Sequence, residues 1–248
     1  MLQGFYTAAS GMFMQQRSLN VISHNIGNLQ TPGFKTSRLL SSTFEQNFLT
    51  RLERYNTNGV GTGDPARIVS EVPDIFTAGG LTETTRPFDM ALTGYGFFNI
   101  QGEDGQTYLT RDGQFDLDDE GYLVLRGRGR VLGQGGPLQI NTSDIAVDAN
   151  GQITNSLTGA ALGTLAITVP ADDADVEQNA NGLFSVAGGP GAPAEDPQLV
   201  QGAYENSNVN MTDEMTAMMM AQRNFSSASQ ALQFIDATYA KAVNIAAL

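Results

Sequence analysis

The sequence predicts an α+β protein whose two ends form one discontinuous helical domain, of coiled-coil character, beside a central all-β domain. Three observations predict this. Apolar residues recur at alternating intervals of three and four at both ends of the 248-residue chain. Asp-Gly and Glu-Gly pairs punctuate the middle at roughly ten-residue spacing, the signature of consecutive hairpins. The net charge of −13 sits almost wholly in that middle: residues 81–200 hold 17 acidic and 5 basic side chains, against 9 and 8 elsewhere.

Residues 1–35 read as the N-terminal helix of the discontinuous domain. Met1, Phe5, Ala8, Met12, Gln15, Leu19, Ile22 and Ile26 form a heptad seam in which only Gln15 is polar. Thr31-Pro32-Gly33 stops the helix, because proline lacks a donor and biases the residue before it away from helix. Residues 36–80 read as a linker or extended region. Within it, Leu39 to Leu52 is compatible with helix, and Asn56 to Pro65 with a flexible stretch.

Residues 81–200 read as the β domain. Short apolar runs at Phe97–Ile100, Thr107–Thr110, Gln114–Leu117 and Tyr122–Leu125 are separated by Glu103-Asp104-Gly105, Arg111-Asp112-Gly113 and Asp119-Glu120-Gly121, each expected to be a hairpin turn. The 28 glycines favour many short strands over a few long ones. Strands continue through Ile140, Ile145–Val147, Ile153, Leu165–Val169 and Leu183–Val186, before a loop at Gly188–Pro193.

Residues 201–248 read as the C-terminal helix of the discontinuous domain. Met218, Ala221, Phe225, Ala228, Leu232, Ile235, Tyr239, Ala242 and Ala246 continue the three–four alternation without a polar member. Asn210 suits the N-cap, and Asp213 and Glu214 place negative charge in the first turn, where the helix dipole favours it. Two arrangements satisfy two such seams. They can pack on each other as an antiparallel hairpin under the β domain, or form a coiled coil whose remaining faces join neighbouring copies. A pair of thirty-residue helices presents more apolar surface than one partner covers, which favours the second. The subunit-interaction residues are then Phe5, Met12, Leu19, Ile22, Ile26, Met218, Phe225, Leu232, Ile235 and Tyr239.

No catalytic, cofactor-binding or metal-binding set emerges. The chain has no cysteine, which excludes disulfides and thiol chemistry, and its one histidine, His24, lies inside the first helix without carboxylates nearby. Asp116–Gly121 resembles the start of a calcium loop, but Gly127 stands where the bidentate glutamate is needed. Gly59-Val60-Gly61-Thr62-Gly63 and Gly94-Tyr95-Gly96 lack the third glycine of a dinucleotide fingerprint. The acidic middle repels phosphate backbones, so nucleic acid is not an expected partner. Arg126, Arg128 and Arg130 are expected to pair with the domain's own carboxylates or a neighbour's. The abundant carboxylates leave a secreted carbohydrate-active enzyme as the alternative from a different class. There is no secretory signal and no apolar run long enough to span a membrane, which taken alone points to the cytoplasm.

Three blocks of residues point elsewhere. Ser23-His24-Asn25-Ile26-Gly27-Asn28-Leu29-Gln30-Thr31-Pro32-Gly33-Phe34-Lys35, then Gly94-Tyr95-Gly96-Phe97-Phe98 with Tyr108–Gly113, then Gln201–Val209 with Glu214-Met215 and Ala221-Gln222-Arg223, resemble the signatures of the axial proteins of the bacterial flagellum. They follow the family's order and span nearly the whole chain. Asn25, Asn28, Thr31, Pro32, Gly33 and Phe34 match its N-terminal motif; Gly27 stands for the usual alanine, and Leu29-Gln30 departs from the commoner pair. The resemblance implies a structural subunit of the basal-body rod, without cofactor, exported through the flagellar type III apparatus without a cleaved signal. It also implies self-assembly into a helical tube that transmits torque from motor to hook, among other rod and hook proteins. Chain length and the Gly-Phe-Phe block point to the proximal or distal rod rather than the hook; the distal type is favoured, with proximal-rod and hook types as alternatives. This places the protein in the flagellar basal body and overrides the cytoplasmic expectation.

Overall fold

The computed structural model describes residues 2–43, 47–53, 56–63, 67–73, 77–170, 176–179, 182–186, 189 and 191–246. It is an α+β protein, with one long helix at each end and the strands between them. Helix α1 is Leu2–Gly27 and helix α2 is Met211–Ala246. The residues gather into two units: one holds residues 1–26, 37–72 and 211–248, the other residues 27–36 and 73–210. The chain therefore passes between units four times.

In the first unit, α1 ends before the Thr31-Pro32 stop. Pro32 has no N–H to bond the Asn28 carbonyl in helical fashion, and the Thr31 amide takes that oxygen instead at 3.1 Å. Helix α2 begins directly after Asn210, with Asp213 and Glu214 in its first turn. Between the helices, the Leu39 to Leu52 segment is not helical. Its described residues lie in the strands Ser37–Thr43 and Asn47–Glu53. The first pairs with Arg67–Pro73 and the second with Asn56–Gly63. Pairing with strands distant in sequence overrides the local helical option. Asn56 to Gly63, expected to be flexible, is likewise a paired strand; Asp64 and Pro65 lie outside the described residues.

The second unit is the β unit, and its centre is the strand Phe97–Gln101. It pairs antiparallel with Thr107–Thr110, with Gly129–Gly133 and with Ile167–Val169 in a ten-stranded sheet. Successive side chains of a strand point to opposite faces. Phe98 and Ile100 accordingly enter one apolar cluster with Phe115, Leu123, Val131 and Ile153, while Phe97 enters a second with Leu109, Val176 and Phe184. Asn99, buried between them, accepts from the Thr168 hydroxyl at 2.8 Å. A strand covered on both faces explains the unbroken Phe-Phe-Asn-Ile run.

Four turns share one design. The glycines Gly105, Gly121, Gly151 and Gly182 donate backwards to the carbonyls of Gly102, Asp118, Asp148 and Asn179 at 3.0 Å each. All four have φ between 73° and 82°, the left-handed region that glycine tolerates. In two of them the aspartate carboxylate caps the turn: Asp118 Oδ1 accepts from Glu120 and Tyr122, and Asp148 Oδ1 from Asn150 and Gln152. The Arg111-Asp112-Gly113 segment is different. The strands flanking it, Thr107–Thr110 and Phe115–Leu117, do not pair with each other, so no hairpin forms. Arg111 and Asp112 are buried and the Met90 amide bonds the Gly113 carbonyl at 3.0 Å. The strands Leu199–Gln201 and Ala203–Glu205 complete the unit by pairing with Met90–Leu92 and Leu81–Glu83. Ala192–Pro193, expected in a loop, is a short strand on Ile167–Val169.

Candidate assembly site

In the first unit α1 and α2 lie antiparallel. A Cβ built on Gly4 would meet Ile235 Cδ1 at 3.9 Å, and Asn25 Nδ2 donates to Glu214 Oε1 at 3.2 Å. The two pairs are 21 residues apart along each helix, which is one continuous register. In that register α2 runs on past the start of α1.

Along α2, Ala221 is buried and Met218, Phe225, Ala228, Leu232, Ile235 and Tyr239 are half-buried. Between them lie exposed apolar side chains: Met211 and Met215 at 49%, Met219 at 53%, Met220 at 60% and Phe234 at 72%. Along α1, Ile22 is buried, Met12, Leu19 and Ile26 are half-buried, and Phe5, Tyr6 and Phe13 are exposed. The seam positions Met1, Ala242 and Ala246 have side chains outside the described residues. Each helix thus carries apolar groups on two faces, one turned inward and one outward.

Asn25 closes the C-terminal end of α1 onto its surroundings. It is 1% exposed. Its Oδ1 accepts the Ser37 amide and its Nδ2 donates to the Ser37 carbonyl, both at 3.0 Å, in the manner of a short β-bridge. The same Nδ2 reaches Glu214. Burial pushes the Glu214 carboxyl up from its ordinary value, opposed by the Asn25 hydrogen bond and by Arg38. Asn25→Asp is expected to cost about 3 kcal/mol or more, because it puts a buried carboxylate against both the Ser37 carbonyl and Glu214. The loss should shrink as pH falls through the carboxylate range, since protonation removes the repulsion. Thermal melting of the helical circular dichroism signal at several pH values measures it; an unchanged, pH-independent melt would refute the assignment.

The remaining residues of the N-terminal motif sit in the β unit. Thr31 Oγ1 donates to Asn28 Oδ1 at 3.1 Å, and the Phe34 amide closes onto the Thr31 carbonyl at 3.3 Å around Pro32. Gly33 has φ +66°, and its amide donates to the Glu205 carbonyl at 2.7 Å. Phe34 is fully buried, and its carbonyl accepts the Asn208 amide. The motif therefore lies alongside the segment that leads into α2.

Beside it lies a buried ion cluster to which the sequence alone had assigned no role. Lys35 Nζ meets Glu205 Oε1 at 2.6 Å and Arg111 Nη1 meets Glu205 Oε2 at 3.4 Å, all three side chains 5% exposed or less. Lys35 also donates to the Thr77 carbonyl, and Arg111 to the carbonyls of Leu92 and Gly94. Burial pulls the Arg111 guanidinium down from its ordinary value and Glu205 opposes this; the group stays charged. The three residues come one each from the three sequence blocks. That pattern was the available signal.

Arg126, Arg128 and Arg130 pair with carboxylates of their own unit, one of the two expected arrangements: Arg126 with Asp116, Arg128 with Asp112, and Arg130 with Asp118 and Glu120. Among the described residues no group of histidine, aspartate or glutamate is arranged to hold a metal, and no helix is long and apolar enough to cross a membrane.

Three family profiles match the chain in sequence order. "Flagella basal body rod protein" covers residues 5–35, "Flagellar hook protein FlgE/F/G D1 domain" residues 91–186, and "Flagellar basal body rod FlgEFG protein C-terminal" residues 200–245. The chain is 32% identical to the flagellar basal-body rod protein FlgG of Agrobacterium fabrum over 248 residues, covering 92% of this chain and 94% of that protein. It is 31% identical to the FlgG of Bacillus subtilis over 272 residues, covering 99% of both. It is 28% identical to the flagellar basal-body rod protein FlgF of Caulobacter vibrioides, covering 91% and 90%.

Proposed function

The chain belongs to the family of flagellar basal-body rod proteins, and from that premise we propose that it is a distal-rod subunit that polymerises through its terminal helices. It is a structural component of the flagellar basal body and not an enzyme. The carboxylates that suggested sugar hydrolysis have structural uses: Asp118 and Asp148 cap turns, and Asp112 and Asp116 hold arginines.

The observation that carries the reading is the pair of antiparallel helices with apolar residues on two faces. One face is occupied within the subunit. The outer face, with Phe13, Met215, Met219 and Phe234, is free for other copies. In this reading the contact is heterologous and its rotation does not close, which builds a helical tube rather than a ring. Such a tube would carry torque from motor to hook among other rod and hook proteins. The coiled-coil pairing, the seam residues and the division of the chain at 35, 80 and 200 belong to this proposal, as does export of the unfolded subunit through the flagellar type III apparatus. Helices unsatisfied until assembly would keep the exported chain threadable.

Electron microscopy of the purified protein tests it, with tubes as the expected result and monodisperse particles as the refutation. A fragment of residues 27–210 should be folded and monomeric, because it holds the whole β unit, residues 27–36 included, without either helix. If that fragment polymerises, the helices are not the assembly surface.

A further inference from the structure

We propose that Lys35, Arg111 and Glu205 form a latch that pins together, within the β unit, the segments next to three of its four chain passages, so that torque enters and leaves the β unit through pinned segments. The torque part rests on the rod-subunit reading; the pinning does not.

Glu205 is the hub. Its Oε1 accepts from Lys35 Nζ and from the Gly79 amide at 2.8 Å, its Oε2 from Arg111, and its backbone carbonyl from the Gly33 amide. The partners come from far along the chain: Lys35 is 170 residues from Glu205, and Arg111 is 94. Three of the joined segments adjoin passages between units. Lys35 precedes the passage after residue 36, Thr77 and Gly79 follow the one after residue 72, and Glu205 precedes the one after residue 210. Asn208 stitches the same segments again, accepting from the Thr36 amide and hydroxyl and donating to the Thr77 carbonyl.

The chemistry suits a mechanical role. Apolar packing is non-directional, so by itself it specifies the registration of two segments less sharply than a directional bond does. Charge-assisted hydrogen bonds are short and directional, and a shear that lengthens one loses it. Burying three charges is not the means of maximising stability, since apolar residues of similar volume commonly do as well or better. Retaining them therefore points to fixed geometry as the function.

The test uses the full-length protein with Lys35→Met, Arg111→Met and Glu205→Leu combined. Thermal melting of the β unit should stay near wild type, while hydrogen exchange at the amides of Gly33, Thr36 and Gly79 should accelerate about tenfold or more. Cells carrying the variant should swim in dilute medium and stall in viscous medium, where load is high. Wild-type exchange at these amides overturns the latch. Faster exchange with undiminished swimming under load overturns its mechanical role. If the triple variant does not fold, Glu205→Gln replaces it, with the same acceleration expected and the same unchanged exchange as refutation. Absence of tubes from the wild-type protein would instead sink the rod-subunit reading, and the exchange measurement would still decide the pinning.

Discussion

Gly33→Ala is expected to lower the melting temperature of the β unit by on the order of 10 °C. A Cβ on Gly33 would lie 2.3 Å from both the Arg111 carbonyl carbon and the Asp112 amide nitrogen. Those are backbone atoms within a buried stretch, and they cannot swing aside as a side-chain tip would. The φ of +66° adds roughly 1–2 kcal/mol of its own for a residue with a side chain. Relief requires the segment to lift, which breaks the 2.7 Å bond to the Glu205 carbonyl, draws Phe34 from its site and separates Lys35 from Glu205. Removing one partner of a buried ion pair alone costs about 3–5 kcal/mol. The control is Gly105→Ala: φ there is +77°, but nothing lies within 4 Å of the added Cβ, so only the backbone strain applies. Circular dichroism melting of both variants decides the matter. If Gly33→Ala melts no lower than Gly105→Ala, the close approach to Arg111 is not what holds glycine in this motif.

The helices and the central strands were legible in the sequence because their burial repeats. A face buried every three and four residues, or a run such as Phe97–Ile100 buried on both faces, leaves a pattern that local reading can detect. Turns were legible only where the local chemistry was also decisive. Asp119-Glu120-Gly121 and Arg111-Asp112-Gly113 look alike as strings, and the first is a hairpin turn while the second is not. What separates them is burial: Arg111 and Asp112 are drawn inward by Glu205, by the Leu92 and Gly94 carbonyls and by Arg128. No neighbour in sequence announces those partners. The same holds for Ser37–Thr43 and Asn47–Glu53, whose strand state is set by pairing with Arg67–Pro73 and Asn56–Gly63. On α2, the spacing of apolar residues could be read as a stripe, and that stripe is the half-buried side of the helix. The cluster around Glu205 could be read only by asking why each of three separate sequence blocks keeps a charged residue.

Leu232→Asp is expected to abolish rod assembly and motility while leaving the melting of the β unit nearly unchanged. Leu232 stands on the half-buried stripe of α2, seven residues from Phe225 and three from Ile235. A carboxylate there stands on a stripe whose other members are apolar, and if assembly buries that stripe an unpaired charge costs several kcal/mol. The β unit keeps its own clusters around Phe98 and Phe97, to which α2 contributes no residue, so its transition should not follow. The neighbouring Phe234→Asp separates the two uses of the helix. Phe234 is 72% exposed, and a charge there costs the isolated subunit little. If the outer face joins copies, Phe234→Asp should melt like wild type and still fail to form tubes. If Phe234→Asp assembles normally while Leu232→Asp does not, the helices act only as an internal hairpin, and assembly must be sought on another surface. Cells carrying Leu232→Asp that build rods and swim would rule out the seam itself.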